Sequence, residues 1–297
     1  MGNGELVRVD APGLPADWLN AWLAAIGVTV LLPSVKLSWT DDVIPHAVFW
    51  VEEGIDLPAA IFGVLPSEDE LGLLPTARRH PDSAASFDRN VSLEVFQDRA
   101  RIERSAHTST LAATVTDLVE GRGSEVLRTS PFNTPAPGGV TLWERLVACR
   151  GEIREQAQVG HTLNGQANRL KGNGLGFDCR RAPGGVPSAP KESKFVDPVI
   201  ETLAGFGLRL FPVRGNGRRE TTRRWTGGST QVGSFTWFSW LPRLDLWAID
   251  AVLDKAESVA RRRWEVVPLK VSNAQDPTRA FFSRPVENGT DRSAALA

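Results

Sequence analysis

The sequence predicts an α+β protein built from two related halves. One observation is a phrase that occurs twice, as LNAWLAAIGVTVLLP at residues 19–33 and as IETLAGFGLRLFP at residues 200–212. In both copies a helical pattern reaches glycine and an apolar run then ends at proline, which favours a helix followed by a buried strand. The second observation is the order of patterns at the amino end: strand, helix, strand, strand. This order begins a ferredoxin-like βαββαβ unit, or any α+β sandwich with a helix on one face of its sheet.

The first half opens with residues 6–9, which alternate like a strand. A helix is expected over residues 16–26, with Pro15 or Asp17 at its start. Its apolar residues recur at spacings of three and four and therefore share one face: Trp18, Leu19, Trp22, Leu23 and Ile26. Residues 28–39 and 47–53 are then expected to form two strands on either side of a polar turn.

The remainder of this half mixes loops with longer patterns. Residues 66–90 are polar and rich in proline and serine, which predicts a loop. An alternating strand is expected at 91–98, followed by a helix from 99 to Gly121. After a turn-rich connection, residues 141–158 predict a single amphipathic helix.

Composition changes sharply at residues 160–194, which are rich in glycine, asparagine, proline, serine and basic residues. This change predicts three regions: an N-terminal α+β half at 1–159, a Gly/basic loop or linker at 160–194, and a C-terminal α+β half at 195–297. One continuous domain is the alternative.

The C-terminal half contains the second copy of the repeated phrase, followed by a basic loop within residues 214–225. Residues 234–253 mix strand and helix signals, and residues 260–273 predict a last strand.

Overall composition limits the partners. The 297 residues are 41% apolar with a net charge of −1, so no global field favours nucleic acid, and such a partner needs local basic patches. Cys149 and Cys179 make neither a disulfide framework nor a CxxC zinc site, which predicts reduced thiols in a cytoplasmic protein. No apolar stretch approaches the roughly 20 residues that span a bilayer, so no membrane partner is expected.

Sequence motifs for catalysis are absent. The chain has no GxxxxGK[ST], HExxH or GxSxG, and its four histidines never form an i, i+4 pair. We therefore expect no catalytic residue, no metal and no cofactor. The enzyme hypothesis that stays open is a metal-dependent nuclease or phosphotransferase that uses Asp178 and His161.

Basic residues beside glycine are the strongest functional signal. Arginine binds phosphate with two donors, and glycine lets a backbone approach a ligand closely. Two such clusters predict contacts with a phosphate backbone. The candidate nucleic-acid-binding residues are Asn173, Arg180, Arg181, Arg214, Arg218, Arg219, Arg223, Arg224 and Trp225.

The chain is also rich in tryptophan near these clusters. Trp237, Trp240 and Trp247 are assigned to packing. Trp225, beside the arginines, is expected to be the exposed ring that stacks on bases.

Several segments together resemble CRISPR-associated proteins of the type I-U (now I-G) effector complexes. The matching positions are Val9 and Asp10, residues 24–27, Phe177 and Asp178, and residues 201–212. They cover about a quarter of the chain, and the glycine-rich loop of the backbone and crRNA-processing subunits has no counterpart here. The resemblance implies a ferredoxin-like subunit of a crRNA-guided complex that binds RNA or target DNA by shape and backbone, without intrinsic nuclease activity.

The leading hypothesis is therefore a non-catalytic subunit of a CRISPR type I effector ribonucleoprotein, active in antiviral defence. Its partners would be crRNA or target DNA and the other effector subunits. A protein-binding scaffold, in which a tryptophan-rich face meets partner subunits, is a further alternative, because arginines that bind phosphate and arginines that bind acidic protein look alike in sequence.

Overall fold

The chain contains both helices and small antiparallel sheets, as an α+β protein does. A computed structural model describes residues 5–68, 71, 91–92, 115–120, 126–132, 142–166, 168–172, 174–176, 195–215, 220–229, 232–268, 282 and 285–288. Within these residues, no helix is long and apolar enough to span a bilayer.

The first sheet is formed by β1 (Leu6–Pro15), β2 (Lys36–Trp39) and β3 (His46–Glu52). All pairs are antiparallel and the order is β1-β3-β2, so the strand that comes last in sequence lies in the centre. The helix α1 (Leu19–Leu31) connects β1 to β2. The predicted order strand, helix, strand, strand is present.

The boundaries of α1 differ from the prediction. The helix begins at Leu19, after Trp18 as N-cap, and it continues through Gly27 to Leu31. The expected strand over residues 28–39 is therefore wrong in its first part, and only Lys36–Trp39 is a strand. The reason is burial, because every residue from 19 to 30 is buried and an apolar run surrounded by protein is stable as helix or strand.

The second copy of the phrase shows the same departure. The second copy forms the helix Pro198–Gly207. An earlier, shorter helix, α2 (Leu57–Val64), belongs to the first half. A 3₁₀ turn, Leu208–Leu210, follows the helix Pro198–Gly207 directly, so the apolar run after Gly207 is not a strand.

The middle of the chain contributes α3 (Leu142–Gly151) and α4 (Gln156–Leu163), so the helix Pro198–Gly207 is named α5. The single helix predicted over residues 141–158 is wrong, because Glu155 starts a new helix with a capping box to Gln158. The short strands here are β4 (Val91–Ser92), β5 (Val115–Glu120) and β6 (Val126–Thr129), in the order β4-β6-β5.

The end of the helix predicted from 99 to Gly121 is also wrong, because residues 115–120 form β5. Three of its six residues are β-branched, namely Val115, Thr116 and Val119, and it pairs with β6. The rest of that predicted helix, the predicted strand beyond Ser92 and most of the predicted loop at 66–90 lie outside the described residues.

The remaining strands are β7 (Leu170–Lys171), β8 (Phe195–Val196), β9 (Val213–Gly215), β10 (Glu220–Thr222), β11 (Trp225–Ser229), β12 (Val232–Ser239), β13 (Arg262–Val266) and β14 (Val286–Asn288). The last four form an antiparallel sheet in sequence order, which confirms a strand in the region predicted at 260–273. The helix α6 (Leu246–Leu253) lies between β12 and β13 in the chain.

Both copies of the repeated phrase meet at the contact between α1 and α5. A Cβ placed on Gly27 would lie 1.9 Å from the carbonyl oxygen of Leu203, and one placed on Gly207 would lie 2.1 Å from the carbonyl oxygen of Leu23. Each glycine therefore lies against the leucine that stands four residues before the other glycine. The contact is reciprocal, as it is when two like surfaces pack about a local two-fold axis.

A single hydrophobic cluster includes residues from both sides of the segment 160–194. Indole groups connect the two sides by hydrogen bonds to the backbone. Trp22 donates to the carbonyl of Phe238 at 2.8 Å, and Trp237 donates to the carbonyl of Ala16 at 2.7 Å. The two halves thus share a core rather than folding around separate ones.

Candidate nucleic-acid interface

Residues 172–194, the part of the predicted Gly/basic region that is called the Gly/basic segment from here on, have their two ends held together. Leu170 pairs with Val196 and Lys171 pairs with Phe195, so β7 and β8 bring the residues on either side of 172–194 next to each other. Asn173, Arg180 and Arg181 lie outside the described residues. The structure does describe the stem from which the segment departs, residues 168–172 and 174–176.

A buried carboxylate holds this stem in place. Glu201 of α5 has no exposed surface, and its Oε1 accepts a hydrogen bond from the Asn20 side chain at 2.8 Å. Its Oε2 accepts a bond from the backbone N–H of Leu175 at 2.7 Å. Gly174 has a φ of +51° and lies against this carboxylate, so a Cβ there would come within 2.4 Å of Oε2. Only glycine satisfies both conditions.

The same loop residue is held from its other side by a buried cation. Arg145 of α3 donates from Nη1 to the carbonyl oxygen of Leu175 at 2.7 Å. Burial lowers the pKa of this guanidinium to about 10, and the negative charge of Glu201 opposes that shift. The Glu201 carboxylate therefore accepts from the N–H of Leu175, and the Arg145 guanidinium donates to its carbonyl. The leucine side chain is itself buried.

A second buried acid anchors the start of α5. Asp197 is the N-cap and accepts a bond from the N–H of Val199 at 2.9 Å. It also accepts from the Thr162 hydroxyl at 2.8 Å and from the N–H of Asn168 at 3.0 Å. Burial raises the pKa of Asp197, and these hydrogen bonds oppose the rise. Asp197 thus ties α4, α5 and the approach to β7 together.

The second basic cluster lies around the hairpin of β9 and β10. Arg214 is in β9, where it pairs with Thr221, and Arg218 and Arg219 lie in the connection outside the described residues. This pairing leaves four residues, 216–219, between Gly215 and Glu220.

Arg223 does not fit the predicted role in phosphate binding. Its side chain is only 7% exposed and is paired with two carboxylates of α6, through Nη1 to Asp250 at 2.5 Å and through Nε to Asp254 at 2.9 Å. Nη1 also donates to the carbonyl of Leu210 at 3.1 Å. Two acids one helical turn apart neutralise this arginine, so we reassign it to holding α6 against the turn after α5.

Arg224 and Trp225 also face the protein. Arg224 has a φ of +62° and its Nε donates to the carbonyl of Thr236 at 3.3 Å, with its guanidinium 5.3 Å from the centre of the Phe238 ring. The expectation that Trp225 is exposed is wrong, because its ring is half-buried against Phe132 and Phe282. The local sequence shows that Arg224 and Trp225 lie in a basic stretch. It does not show whether their side chains face solvent or the protein.

Trp237 and Trp240 are fully buried, which confirms their assignment to packing. Trp247 is wrongly assigned, because it lies on the outer side of α6 with 76% of its surface exposed. Of this tryptophan-rich stretch, Trp237 and Trp240 thus belong to the core and Trp247 is exposed.

Of the two residues of the enzyme hypothesis, the structure describes only His161. His161 is exposed near the end of α4, and Asp178 lies outside the described residues. In the part of the chain that the structure describes, no group of three or more histidine, cysteine, aspartate or glutamate side chains could hold a metal ion.

The anchoring pair Glu201 and Arg145 was missed by sequence reasoning. The signal was present, since a glutamate in the middle of the apolar phrase IETLAGFG is unexpected on a buried helix. Its partners stand far away in the chain, so no local pattern links them.

Comparisons with protein-family models, curated proteins and solved structures gave no match.

Proposed function

We propose that this chain is a non-catalytic subunit of a CRISPR type I effector ribonucleoprotein, and that it contacts crRNA or target DNA through the Gly/basic segments 172–194 and 216–219. The observation that carries the proposal is the fixation of Leu175 between Glu201 and Arg145. Burying two charges costs several kcal/mol in desolvation, so it is an unfavourable way to hold a loop that has no task. A loop that contacts the phosphate backbone of a nucleic acid requires a stem that is held in a fixed position.

The placement of the two segments supports a shared role. One ends at β8, immediately before α5, and the other departs from β9, just after the 3₁₀ turn that follows α5. A helix of 10 residues is about 15 Å long. Two basic segments rooted near its two ends can contact successive phosphates of one strand.

The first half supports the resemblance to effector subunits. The order β1-β3-β2, with α1 connecting the outer strands, is the arrangement of a ferredoxin-like unit, and we propose that this half is one. The segments that carry the resemblance also meet in space, since residues 24–27 and 201–212 include both glycines of the α1–α5 contact. We therefore propose that the two halves are related by duplication of this helix.

The test is a salt-dependent binding measurement on the complete chain. Arg218→Glu with Arg219→Glu, and separately Arg180→Glu with Arg181→Glu, should weaken binding to repeat-derived RNA. Each pair should also reduce the slope of log affinity against log salt by about 1 for every phosphate that the protein no longer neutralises. Arg223 and Arg224 are left unchanged, because their replacement would disturb the fold.

The matched control is Arg154→Glu with Arg209→Glu, which makes the same change of charge at exposed positions outside both segments. A decrease in affinity equal to that of the control, in protein with an unchanged melting temperature, would contradict the proposed function. Metal-dependent cleavage of the RNA that disappears in Asp178→Ala would favour the enzyme hypothesis instead.

A further inference from the structure

The sheet β1-β3-β2 has an outer face with a row of large side chains. Its inner face carries buried residues such as Leu37, Phe49 and Val51. On the outer face, Arg8 and Lys36 are both in register with Trp50 of the central strand. Trp50 therefore lies on the strand between those of two cationic residues, and neighbouring strands are about 4.8 Å apart.

A third cation lies on this tryptophan. The chain leaving β12 follows the free edge of β2, with Leu37 and Leu244 exchanging backbone hydrogen bonds of 2.8 and 2.9 Å. The exposed Arg243 thus comes over Trp50, with its guanidinium carbon 3.3 Å from the ring centre. The indole of Trp50 donates to the Ser38 hydroxyl at 2.9 Å, which fixes the ring.

The charges on this face are not equally available. Arg8 is paired with Asp10 at 2.7 Å, and His46 contacts the same carboxylate at 3.3 Å. Among the described residues, Lys36 and Arg243 are paired with no carboxylate. Glu52, on the same face two residues beyond Trp50, is exposed and marks the end of the basic area.

A guanidinium stacked on an aromatic ring keeps its N–H donors in its own plane and has a second flat side. Bases stack on arginine planes as well as on aromatic rings. Trp50 thus holds the Arg243 guanidinium over its ring, and Lys36 adds a second cation on the same face, in register with Trp50.

We propose that this outer face binds single-stranded nucleic acid, with a base stacked on the Arg243–Trp50 pair and phosphate groups contacting Lys36 and Arg243. The combination of cations with a flat stacking surface favours nucleic acid over an acidic protein. An acidic protein would contact the cations but would gain nothing from the flat guanidinium. The site uses none of the residues of the proposed function and goes beyond it.

The experiment measures fluorescence anisotropy of a labelled 12-nucleotide oligothymidylate, and of a matched abasic oligonucleotide, with the complete chain. The wild-type chain should bind the oligothymidylate more tightly. Arg243→Ala should weaken that binding by about fivefold or more and abolish the preference over the abasic strand. Arg243→Lys should keep part of the affinity and lose the preference.

Lys36→Ala should weaken binding of both oligonucleotides equally, since it removes a phosphate contact. Arg154→Ala is the matched control for removing an exposed arginine, and unchanged thermal melting of each variant shows that the fold is intact. Arg243 is chosen for substitution because it is exposed, whereas Trp50 is partly buried.

Three outcomes would overturn the inference: no binding by the wild-type chain, equal binding of the two oligonucleotides, or an Arg243→Ala variant that behaves as wild type. Displacement of bound oligothymidylate by a decaglutamate peptide in wild type and Arg243→Ala alike would assign the face to an acidic protein. If the Arg218 and Arg219 variants lose RNA binding while Arg243→Ala does not, the proposed function stands and this inference fails.

Discussion

The two copies of the repeated phrase fold alike where their sequences agree and take different roles where they differ. LAAIG in α1 and LAGFG in α5 both provide a leucine and a glycine to the same close contact. At the positions where the copies differ, Asn20 of α1 bonds Glu201 of α5 at 2.8 Å. The aligned positions in the other copy are Ile200 and Ala21. The shared residues therefore join the halves, and the differing ones hold the Gly/basic segment.

The largest effect is expected from making the copies more alike. Glu201→Ala, which installs the residue that α1 has at this position, should lower the free energy of unfolding by about 3–5 kcal/mol, because it leaves the buried Arg145 without its carboxylate. Urea denaturation measures the change. Adding Arg145→Met should recover part of the stability. A change below about 1 kcal/mol would mean that the charges are not held together inside the protein.

A smaller effect is expected from breaking what the copies share. Gly27→Ala and Gly207→Ala should each lower the free energy of unfolding by about 1–3 kcal/mol, because the new methyl group meets a backbone carbonyl that cannot move alone. Gly63→Ala in α2 is the matched control, since a Cβ there has nothing within 4 Å. It should be neutral or stabilise by up to about 1 kcal/mol through helix propensity. Equal results at the three glycines would contradict close packing of α1 against α5.

The smallest effect concerns the cap of α5, which α1 lacks. Asp197→Asn keeps an acceptor for the helix amides but loses the acceptor for Thr162, so it should cost about 1 kcal/mol at neutral pH. Because the folded pKa of Asp197 is raised, its contribution is greatest below the ordinary carboxyl pKa of about 4 and declines as pH rises through the folded value.

The stability difference between wild type and Asp197→Asn should therefore shrink from about pH 4 to pH 7. Denaturant titrations at these two pH values measure it. A difference that grows over this range would show that the hydrogen bonds to the carboxylate outweigh its burial.

Arginine gives the clearest limit of sequence reasoning. Arg223, Arg224 and Arg243 look alike as exposed basic residues in a local reading of the chain. Arg223 is neutralised by two acids of α6, about thirty residues away, and Arg243 lies on a tryptophan from the first sheet. A cation's role depends on which acids and rings approach it in the folded chain, and local sequence does not show them.

Periodicity and repetition in the amino-acid sequence were enough to establish the mixed α+β character, the order of the first four elements, the burial of Trp237 and Trp240, and the likeness of two distant segments. These are local properties of the chain. Contacts between distant segments, in contrast, determine that the runs after Gly27 and Gly207 are not strands, and that Glu201 and Arg145 meet at Leu175. An apolar run accepts either conformation, and the choice belongs to the surface that packs against it.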